Sequence, residues 1–199
     1  MHVLLINGSP HEKGCTYTAL SLVAGELNAA GITTEILNVG TKPVGGCIGC
    51  GGCAKGNGCV FGGVVNEAIE KARTADAFVF GTPVHYASAS GNMTSFLDRL
   101  AYAGGKYLAY KPAAICASAR RAGTTSALDQ LVKYPEFFHM PLVSGSYWPM
   151  VHGSNPEQVL QDEEGCAVMK ELGRNMAWLL QCIEAGKAAG ISHPENPRR

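Results

Sequence analysis

The feature that most constrains this chain is the regular alternation of short apolar runs with segments of helical periodicity. The apolar runs have the length of single strands and lie at residues 3–7, 33–39, 76–81, 112–117 and within 140–147. The helical segments lie at residues 16–30, 64–75, 91–102, 124–134 and 156–185. Strands that are apolar on both sides indicate a sheet covered on both faces. We therefore predict an α/β fold with a doubly wound, five-stranded parallel sheet and right-handed crossovers.

Length and charge exclude several classes of protein. The 199 residues suit one domain, which we place at residues 1–189, followed by a loosely attached tail at 190–199. The 16 basic and 16 acidic side chains cancel, and no basic stripe indicates a nucleic-acid partner. The longest apolar runs fall far short of the roughly 20 residues that a membrane span needs. No cleavage-site pattern follows the first strand, so we expect a soluble, cytoplasmic protein that contacts no membrane.

The turn after the first strand has the features of a phosphate-binding loop. Residues 7–18 read NGSPHEKGCTYT and lead from a buried strand into a helix. Unpaired N–H groups at a helix start suit a phosphate, and the hydroxyls of Ser9, Thr16 and Thr18 add donors. The segment lacks G-x-G-x-x-G, and its glycines are not followed by Lys-Ser or Lys-Thr, which favours a monophosphate over a triphosphate. The alternative is that Ser9 and Thr16 only cap a helix and shape a turn.

Two further loops follow strands at the same edge of the predicted sheet. Residues 81–91 read GTPVHYASASG; they leave backbone amides exposed, and Tyr86 can lie against a flat ring such as isoalloxazine. Residues 117–125 read ASARRAGTT, and Arg120 or Arg121 can face the pyrimidine edge of a flavin or the phosphates of a nicotinamide cofactor. Ligands of open α/β sheets bind at this edge, so we predict one flavin site made by three loops. The alternatives are ordinary turns, with Tyr86 in the core and the arginines in solvent.

A glycine-rich stretch carries a compact set of cysteines. Residues 45–63 read GGCIGCGGCAKGNGCVFGG and place Cys47, Cys50, Cys53 and Cys59 within 13 residues. Closely spaced thiolates on such a chain can converge on one centre. The spacing is near that of a ferredoxin run, with a longer last gap and Val60 in place of proline. An iron–sulfur cluster, a zinc ion and a loop without metal are the three interpretations; the two short gaps leave little slack for tetrahedral zinc.

Three separated motifs carry a resemblance to a known family. They are Gly8-Ser9-Pro10 with Gly14 and Thr16; Thr82-Pro83-Val84 with Ser88-x-Ser90-Gly91; and Phe96-Leu97-Asp98-Arg99. Over about residues 3–147 the chain resembles the NADPH-dependent FMN reductase family, and more narrowly its iron–sulfur flavoprotein branch. The resemblance implies a flavodoxin-like fold, FMN as cofactor, and a homodimer or homotetramer. The chain departs from the family at His11, where arginine is frequent, and at Cys15, where asparagine is frequent.

The resemblance also assigns candidate site residues. The FMN-binding residues that it implies are Ser9, His11, Cys15, Thr16 and Thr18 in the phosphate loop, Pro83, Val84, His85, Tyr86 and Ser88 beside the ring, and Ser118, Arg120, Arg121 and Gly123 in the third loop. It implies a 4Fe–4S cluster on the four cysteines of residues 45–63, which would exchange single electrons with FMN. We expect no catalytic side chain, because the flavin itself carries the redox chemistry.

Three functions are compatible with these expectations. The first is an enzyme that passes electrons from NAD(P)H through FMN to a small acceptor such as a flavin or a quinone. The second is an electron carrier between protein partners such as ferredoxin. The third is a non-redox binding module with structural zinc. We take the first as the predicted function and the second as its alternative.

Overall fold

The computed structural model describes residues 1–195 and shows strands and helices in alternation. The strands are β1 His2–Asn7, β2 Thr33–Asn38, β3 Ala77–His85, β4 Ser88–Ala89, β5 Ala113–Ala119 and β6 Met150–His152. The α-helices are α1 Cys15–Ala29, α2 Val64–Thr74, α3 Gly91–Gly104, α4 Thr124–Phe137, α5 Pro156–Gln161 and α6 Glu163–Ala188. Short 3₁₀ helices occur at Gly52–Lys55 and Gly105–Tyr107.

The sheet has the strand order of a doubly wound fold. Neighbouring strands follow the order β2-β1-β3-β5-β6, and all of these pairs are parallel. The two-residue β4 only pairs antiparallel with the end of β3. Counting the parallel strands alone, the order is 2-1-3-4-5, which is the flavodoxin-like order and confirms the predicted fold. The order reverses between β1 and β3, and ligands of this fold class bind at the carboxyl ends of the strands beside that point.

Helices cover both faces of the sheet, each over its own apolar core. On one face α2, α3 and α4 pack against β1, β3 and β5, with Phe78, Phe80 and Phe96 fully buried. On the other face α1 and α6 pack together and bury Leu20 and Met169. Coverage of both faces explains why the strands have no polar side. It leaves the edge at the strand ends as the place where loops can meet a ligand.

The prediction of a final strand within residues 140–147 is wrong. Leu142 makes only an isolated bridge with Ala113, with a bond from Ala113 N–H to Pro141 O at 2.9 Å. The chain then leaves the sheet and returns as β6, where Met150 pairs with Ala117. The apolar run was misleading because its side chains fill the core without forming a ladder.

The predicted helix at residues 156–185 is two helices. Asp162 separates α5 from α6, and its φ of −78° and ψ of 84° are not helical. Its carboxylate accepts a bond from Gly165 N–H at 3.0 Å, which caps α6, and another from His152 N–H at 2.7 Å. One aspartate therefore starts the last helix and holds the last strand.

Two further expectations concern membrane-spanning helices and the C-terminal tail. Within residues 1–195, no helix combines the length and apolarity needed to cross a bilayer. Residues 191–195 follow α6 outside any helix or strand. The remainder of the predicted tail, residues 196–199, lies outside the described residues, and the domain boundary at 189 stays a prediction.

Candidate flavin site and cysteine loop

The phosphate loop is folded by its own polar groups. Asn7, fully buried at the end of β1, accepts a bond from Ser9 N–H at 3.1 Å. Ser9 Oγ then accepts from His11 N–H at 3.1 Å, and its own hydroxyl proton remains available to a ligand. Asn7 Nδ2 also donates to Asn38 Oδ1 at 2.8 Å, which ties the loop to the end of β2. These bonds turn the chain back so that it can enter α1.

Helix α1 begins without a capping side chain. Its N-cap is Gly14, and within residues 1–195 no side chain accepts a bond from its first turn. The first turn also carries no acidic residue. Ser90, Asn155 and Asp162 cap α3, α5 and α6 with their side chains, whereas α1, like α2 and α4, begins at a glycine without a side-chain cap. Free N–H groups and an uncompensated positive helix end form an anion site.

Hydroxyls from two loops meet beside this helix start. Thr16 Oγ1 and Ser118 Oγ are hydrogen-bonded at 2.8 Å, and both residues are buried. Ser9 is buried as well, in the same phosphate loop as Thr16. Neither Ser9 nor Thr16 caps α1, whose N-cap is Gly14, but Ser9 does shape the turn before the helix by accepting from His11 N–H. The sequence-predicted Thr16 and Ser118 are therefore in contact, and Ser9 is buried in the phosphate loop that precedes Thr16.

The second loop is a tight hairpin that presents an aromatic ring to solvent. Tyr86 and Ala87 join β3 to β4 with φ values of 49° and 59°. Such left-handed values are strained for residues other than glycine and concentrate at functional sites. Tyr86 is fully exposed, so the interpretation of Tyr86 as a core residue is wrong. The ring is free to lie on a bound ligand.

Close backbone contacts hold the three loops together. Gly8 N–H donates to Gly81 O at 2.9 Å, and Ser90 Oγ donates to Gly8 O at 2.9 Å. A Cβ on Gly123, whose φ is +95°, would lie 2.6 Å from Ala87 Cα. The phosphate loop thus touches the second loop, and the second touches the third. A ligand in the crevice would meet all three at once.

Some predicted residues lie near the site but turn away from it. Cys15 Sγ donates to Gly153 O at 3.5 Å, and burial raises the pKa of this thiol. Thr18 Oγ1 donates to Gly14 O at 3.1 Å, one helical turn back. Arg120 and Arg121 are exposed beside the third loop. Pro83 and Val84 lie partly buried in β3, Ser88 partly buried in β4, and His85 is exposed at the hairpin.

The cysteine loop offers a four-thiol donor set. All four cysteines border one cavity of about 210 Å³. Cys47 and Cys50 are exposed, whereas Cys53 and Cys59 are partly buried. Among residues 1–195, no three Cys, His, Asp or Glu side chains stand close enough to hold a metal ion. The four thiols and the cavity that they share fit the donor chemistry of a four-thiolate centre.

Two neighbouring helices fix the last cysteine. Asn66 on α2 accepts from Cys59 N–H at 2.8 Å and donates to Cys59 O at 3.0 Å. Arg99 on α3 donates from Nε to Cys59 Sγ at 3.2 Å. The sequence reasoning assigned no role to either residue. The one indication of a role in the sequence was that Arg99 belongs to the motif Phe96-Leu97-Asp98-Arg99.

Helix α3 also holds the entry to the cysteine loop. Asn92 Nδ2 donates to Gly40 O at 3.0 Å and to Lys42 O at 3.1 Å, and Asn92 Oδ1 accepts from Val44 N–H at 3.2 Å. Asn92 and Arg99 are seven residues apart and so share one face of the helix. The loop therefore lies along the helix that starts at the second flavin loop.

The fold and the three-loop crevice define this chain as a flavodoxin-like α/β protein with a site for a phosphate and a flat ring. Comparison with known proteins agrees with this class. The family model for NADPH-dependent FMN reductase matches residues 1–155, and the chain belongs to that family. By membership it is an FMN-dependent oxidoreductase.

Individual relatives extend over most of the chain. It is 30% identical over 175 residues to an iron–sulfur flavoprotein of Archaeoglobus fulgidus, covering 86% of both chains. It is 26% identical over 192 residues to an iron–sulfur flavoprotein of Methanocaldococcus jannaschii, covering 92% of this chain and all of the relative. Among solved structures, RosB with a bound riboflavin-phosphate intermediate superposes with a TM-score of 0.71 at 14% identity, covering 100% of this chain and 92% of RosB. At that identity the likeness to RosB supports the fold alone.

Proposed function

We propose that this protein transfers electrons from NAD(P)H through bound FMN to a small acceptor, and that it carries a 4Fe–4S cluster on Cys47, Cys50, Cys53 and Cys59. The observation that carries the flavin part is the uncapped start of α1, where the buried hydroxyls of Thr16 and Ser118 are in contact and buried Ser9 lies in the preceding loop. An uncompensated helix end with hydroxyl donors suits the single phosphate of FMN.

The residues have separate binding roles in this proposal. The α1 amides with Ser9 and Thr16 hold the phosphate, and backbone groups of residues 83–88 hold the polar edge of the ring. Tyr86, which is exposed on its hairpin, covers part of one ring face. A few charge-assisted hydrogen bonds of roughly 1.5–3 kcal/mol each, with ring contacts, are sufficient for the roughly −8 kcal/mol of micromolar binding. Bound FMN supplies the hydride and electron chemistry.

The third loop faces the electron donor in this proposal. Arg120 and Arg121 are exposed and lie next to the crevice on the segment that includes Gly123. Exposed guanidinium groups suit the phosphates of NADPH or NADH without being needed for FMN itself. We therefore assign these two arginines to the co-substrate.

A second candidate is an electron carrier that serves a protein partner such as ferredoxin. It is favoured by the exposure of Cys47 and Cys50, because a cluster there would lie at the surface of the molecule. Exposed Ile48 and Phe61 beside these cysteines offer apolar contacts to a partner protein. The family name favours the pyridine nucleotide as donor, which keeps the reductase as the first choice.

A homo-oligomer is part of the proposal. Tyr102 and Phe137, which are 75% and 71% exposed, border a cavity of about 600 Å³ between α3 and α4. Exposed aromatic side chains around one cavity suit an interface between protein chains. Light scattering of the purified protein at several concentrations checks this. We expect a dimer or tetramer, and a monomer at every concentration would contradict it.

Anaerobic reduction followed by stopped-flow absorption distinguishes the two candidate functions. The protein is purified without oxygen and assayed for FMN, iron and acid-labile sulfide. It is then mixed with NADPH, NADH or reduced ferredoxin. We expect one FMN and one cluster per chain and rapid bleaching by a pyridine nucleotide. If only reduced ferredoxin bleaches the flavin, the protein is the electron carrier and not the reductase. If the protein contains FMN but neither iron nor sulfide, the proposed cluster is wrong.

A further inference from the structure

Among residues 1–195, Arg99 is the one charged residue with less than a tenth of its surface exposed, at 7%. It projects from α3 toward the cavity that the four cysteines line. Guanidinium groups keep their charge in proteins, and a buried charge is stable only when a counter-charge or a full set of hydrogen bonds compensates it. The groups that contact Arg99 therefore indicate what charge a ligand of this cavity should carry.

The guanidinium binds both ends of the cysteine loop. Nη1 donates to Gly45 O at 3.3 Å and Nη2 donates to Gly62 O at 3.0 Å. Nε donates to Cys59 Sγ at 3.2 Å, and Cζ lies 5.6 Å from the centre of the Phe61 ring. One side chain thus closes the loop at its base and holds one of its sulfurs.

No carboxylate balances this cation. None of the ion pairs among residues 1–195 includes Arg99. Its chain neighbour Asp98 instead accepts a bond from Tyr134 Oη at 2.6 Å. Glu67 borders a cavity next to Arg99 but pairs with Lys71 at 3.6 Å. Arg99 is held by two carbonyl oxygens and by Cys59 Sγ, and a deprotonated, metal-bound Cys59 would supply the missing counter-charge.

We infer that Arg99 is the positioning and charge-compensating residue for an anionic thiolate-ligated centre in the cysteine loop. The inference rests on the cluster of the proposed function and assigns it a residue outside the ligand set. Because reduction adds a negative charge to the centre, a cation held against one ligand sulfur stabilises the reduced state more than the oxidised state. Arg99 therefore raises the reduction potential of the centre.

Two substitutions at Arg99 distinguish an effect of its positive charge from an effect of its hydrogen bonds and packing. Arg99→Gln removes the charge and keeps some hydrogen bonding, whereas Arg99→Lys keeps the charge at the same depth. Arg73→Gln is the control, because Arg73 is partly exposed on α2, pairs with Glu70 and does not border the cavity. All proteins are reconstituted with iron and sulfide under anaerobic conditions. The ratio of reduced to oxidised cluster is then measured by electron paramagnetic resonance at a series of fixed potentials.

The expected result is a fall of about tenfold in the reduced-to-oxidised ratio for Arg99→Gln at a fixed potential, equal to about 59 mV for one electron. Arg99→Lys should recover most of the ratio, and Arg73→Gln should match the wild type. Loss of the cluster in Arg99→Gln with retention in Arg99→Lys also supports the inference. An unchanged ratio in Arg99→Gln, or loss of the cluster in both Arg99 variants with FMN retained, would overturn it. A wild-type protein without iron and sulfide would instead refute the proposed cluster.

Discussion

Thr16 contributes a hydroxyl that joins two of the three flavin loops, and its replacement tests that junction. We expect Thr16→Val to weaken FMN binding about tenfold, because one hydrogen bond of about 1–1.5 kcal/mol is lost while the shape is kept. The Ser118 hydroxyl bonded to it would lose its partner, so the free energy of unfolding should also fall by about 1 kcal/mol.

Fluorescence titration of apoprotein with FMN measures the first effect, and urea unfolding measures the second. The control is Thr74→Val, whose hydroxyl donates to Lys71 O at the exposed end of α2. Undiminished FMN affinity in Thr16→Val would show that this hydroxyl does not contribute to the site.

Replacement of Tyr86 should change the stability of the protein and its affinity for FMN in opposite directions. A non-glycine residue at positive φ costs about 1–2 kcal/mol, and glycine relieves that strain at some cost in chain entropy. We expect Tyr86→Gly to raise the free energy of unfolding by up to about 1 kcal/mol. FMN affinity should fall by roughly two- to tenfold, because an aromatic contact worth roughly 0.5–1.5 kcal/mol is lost.

Tyr110→Gly is the matched control, since Tyr110 has a φ of 62° but stacks on His193, with ring centroids 4.4 Å apart. Tyr110 precedes β5 and so lies at the opposite edge of the sheet from Tyr86, which follows the buried part of β3. Calorimetric titration with FMN compares the two variants. Equal affinities would contradict the contact between Tyr86 and the flavin.

At the scale of elements, the start of α1 acts as the anion site, and a carboxylate placed there tests it. Asparagine and aspartate cap helices about equally well and have the same shape. We therefore compare Gly14→Asp with Gly14→Asn. Both new side chains would press on His11 in the same way, so the comparison leaves only the effect of the charge. The aspartate variant should bind FMN at least tenfold more weakly, because its charge repels the phosphate at close range. Equal affinities in the two variants would place the phosphate elsewhere.

The sequence was sufficient to predict the parallel sheet and most helices, because β–α alternation depends on local periodicity. It was not sufficient for the last strand, since β6 has only three residues and forms through long-range pairing with β5. The break at Asp162 was missed for a similar reason: its carboxylate bonds to His152, ten positions earlier in the chain.

Within the site, the hydroxyls of Ser9 and Thr16 were predictable because they belong to one turn. The bond from Thr16 to Ser118 joins residues that are 102 positions apart, so no local pattern contains it. Asn66, Asn92 and Arg99 hold the cysteine loop through its backbone or a sulfur atom, and such contacts leave no periodic signal. Their roles became visible only in the folded chain.

At the scale of the whole molecule, we predict that FMN binding does not depend on the four thiols of the cysteine loop. Serine in place of all four loop cysteines should abolish iron binding and leave FMN affinity within about twofold, because those cysteines lie outside the sheet. The contrasting variant is Cys116→Ser in β5, where full burial raises the thiol pKa to about 12. A hydroxyl at that apolar position should lower the free energy of unfolding by about 1–3 kcal/mol.

Iron assay, FMN titration and thermal unfolding of the two proteins check this separation. The cysteine-loop variant should lose iron alone, and Cys116→Ser should lose stability alone. Loss of FMN from the cysteine-loop variant would instead show that the two units depend on each other.

The central claim is that the start of α1 and its surrounding hydroxyls hold the phosphate of FMN. Calorimetric titration of apoprotein with FMN and with riboflavin tests it most directly, because the two ligands differ only in that phosphate. The account predicts one FMN per chain at micromolar affinity or tighter, with riboflavin bound at least 100-fold more weakly, a difference of about 2.7 kcal/mol. Equal affinity for the two ligands, or no binding of FMN, would contradict it.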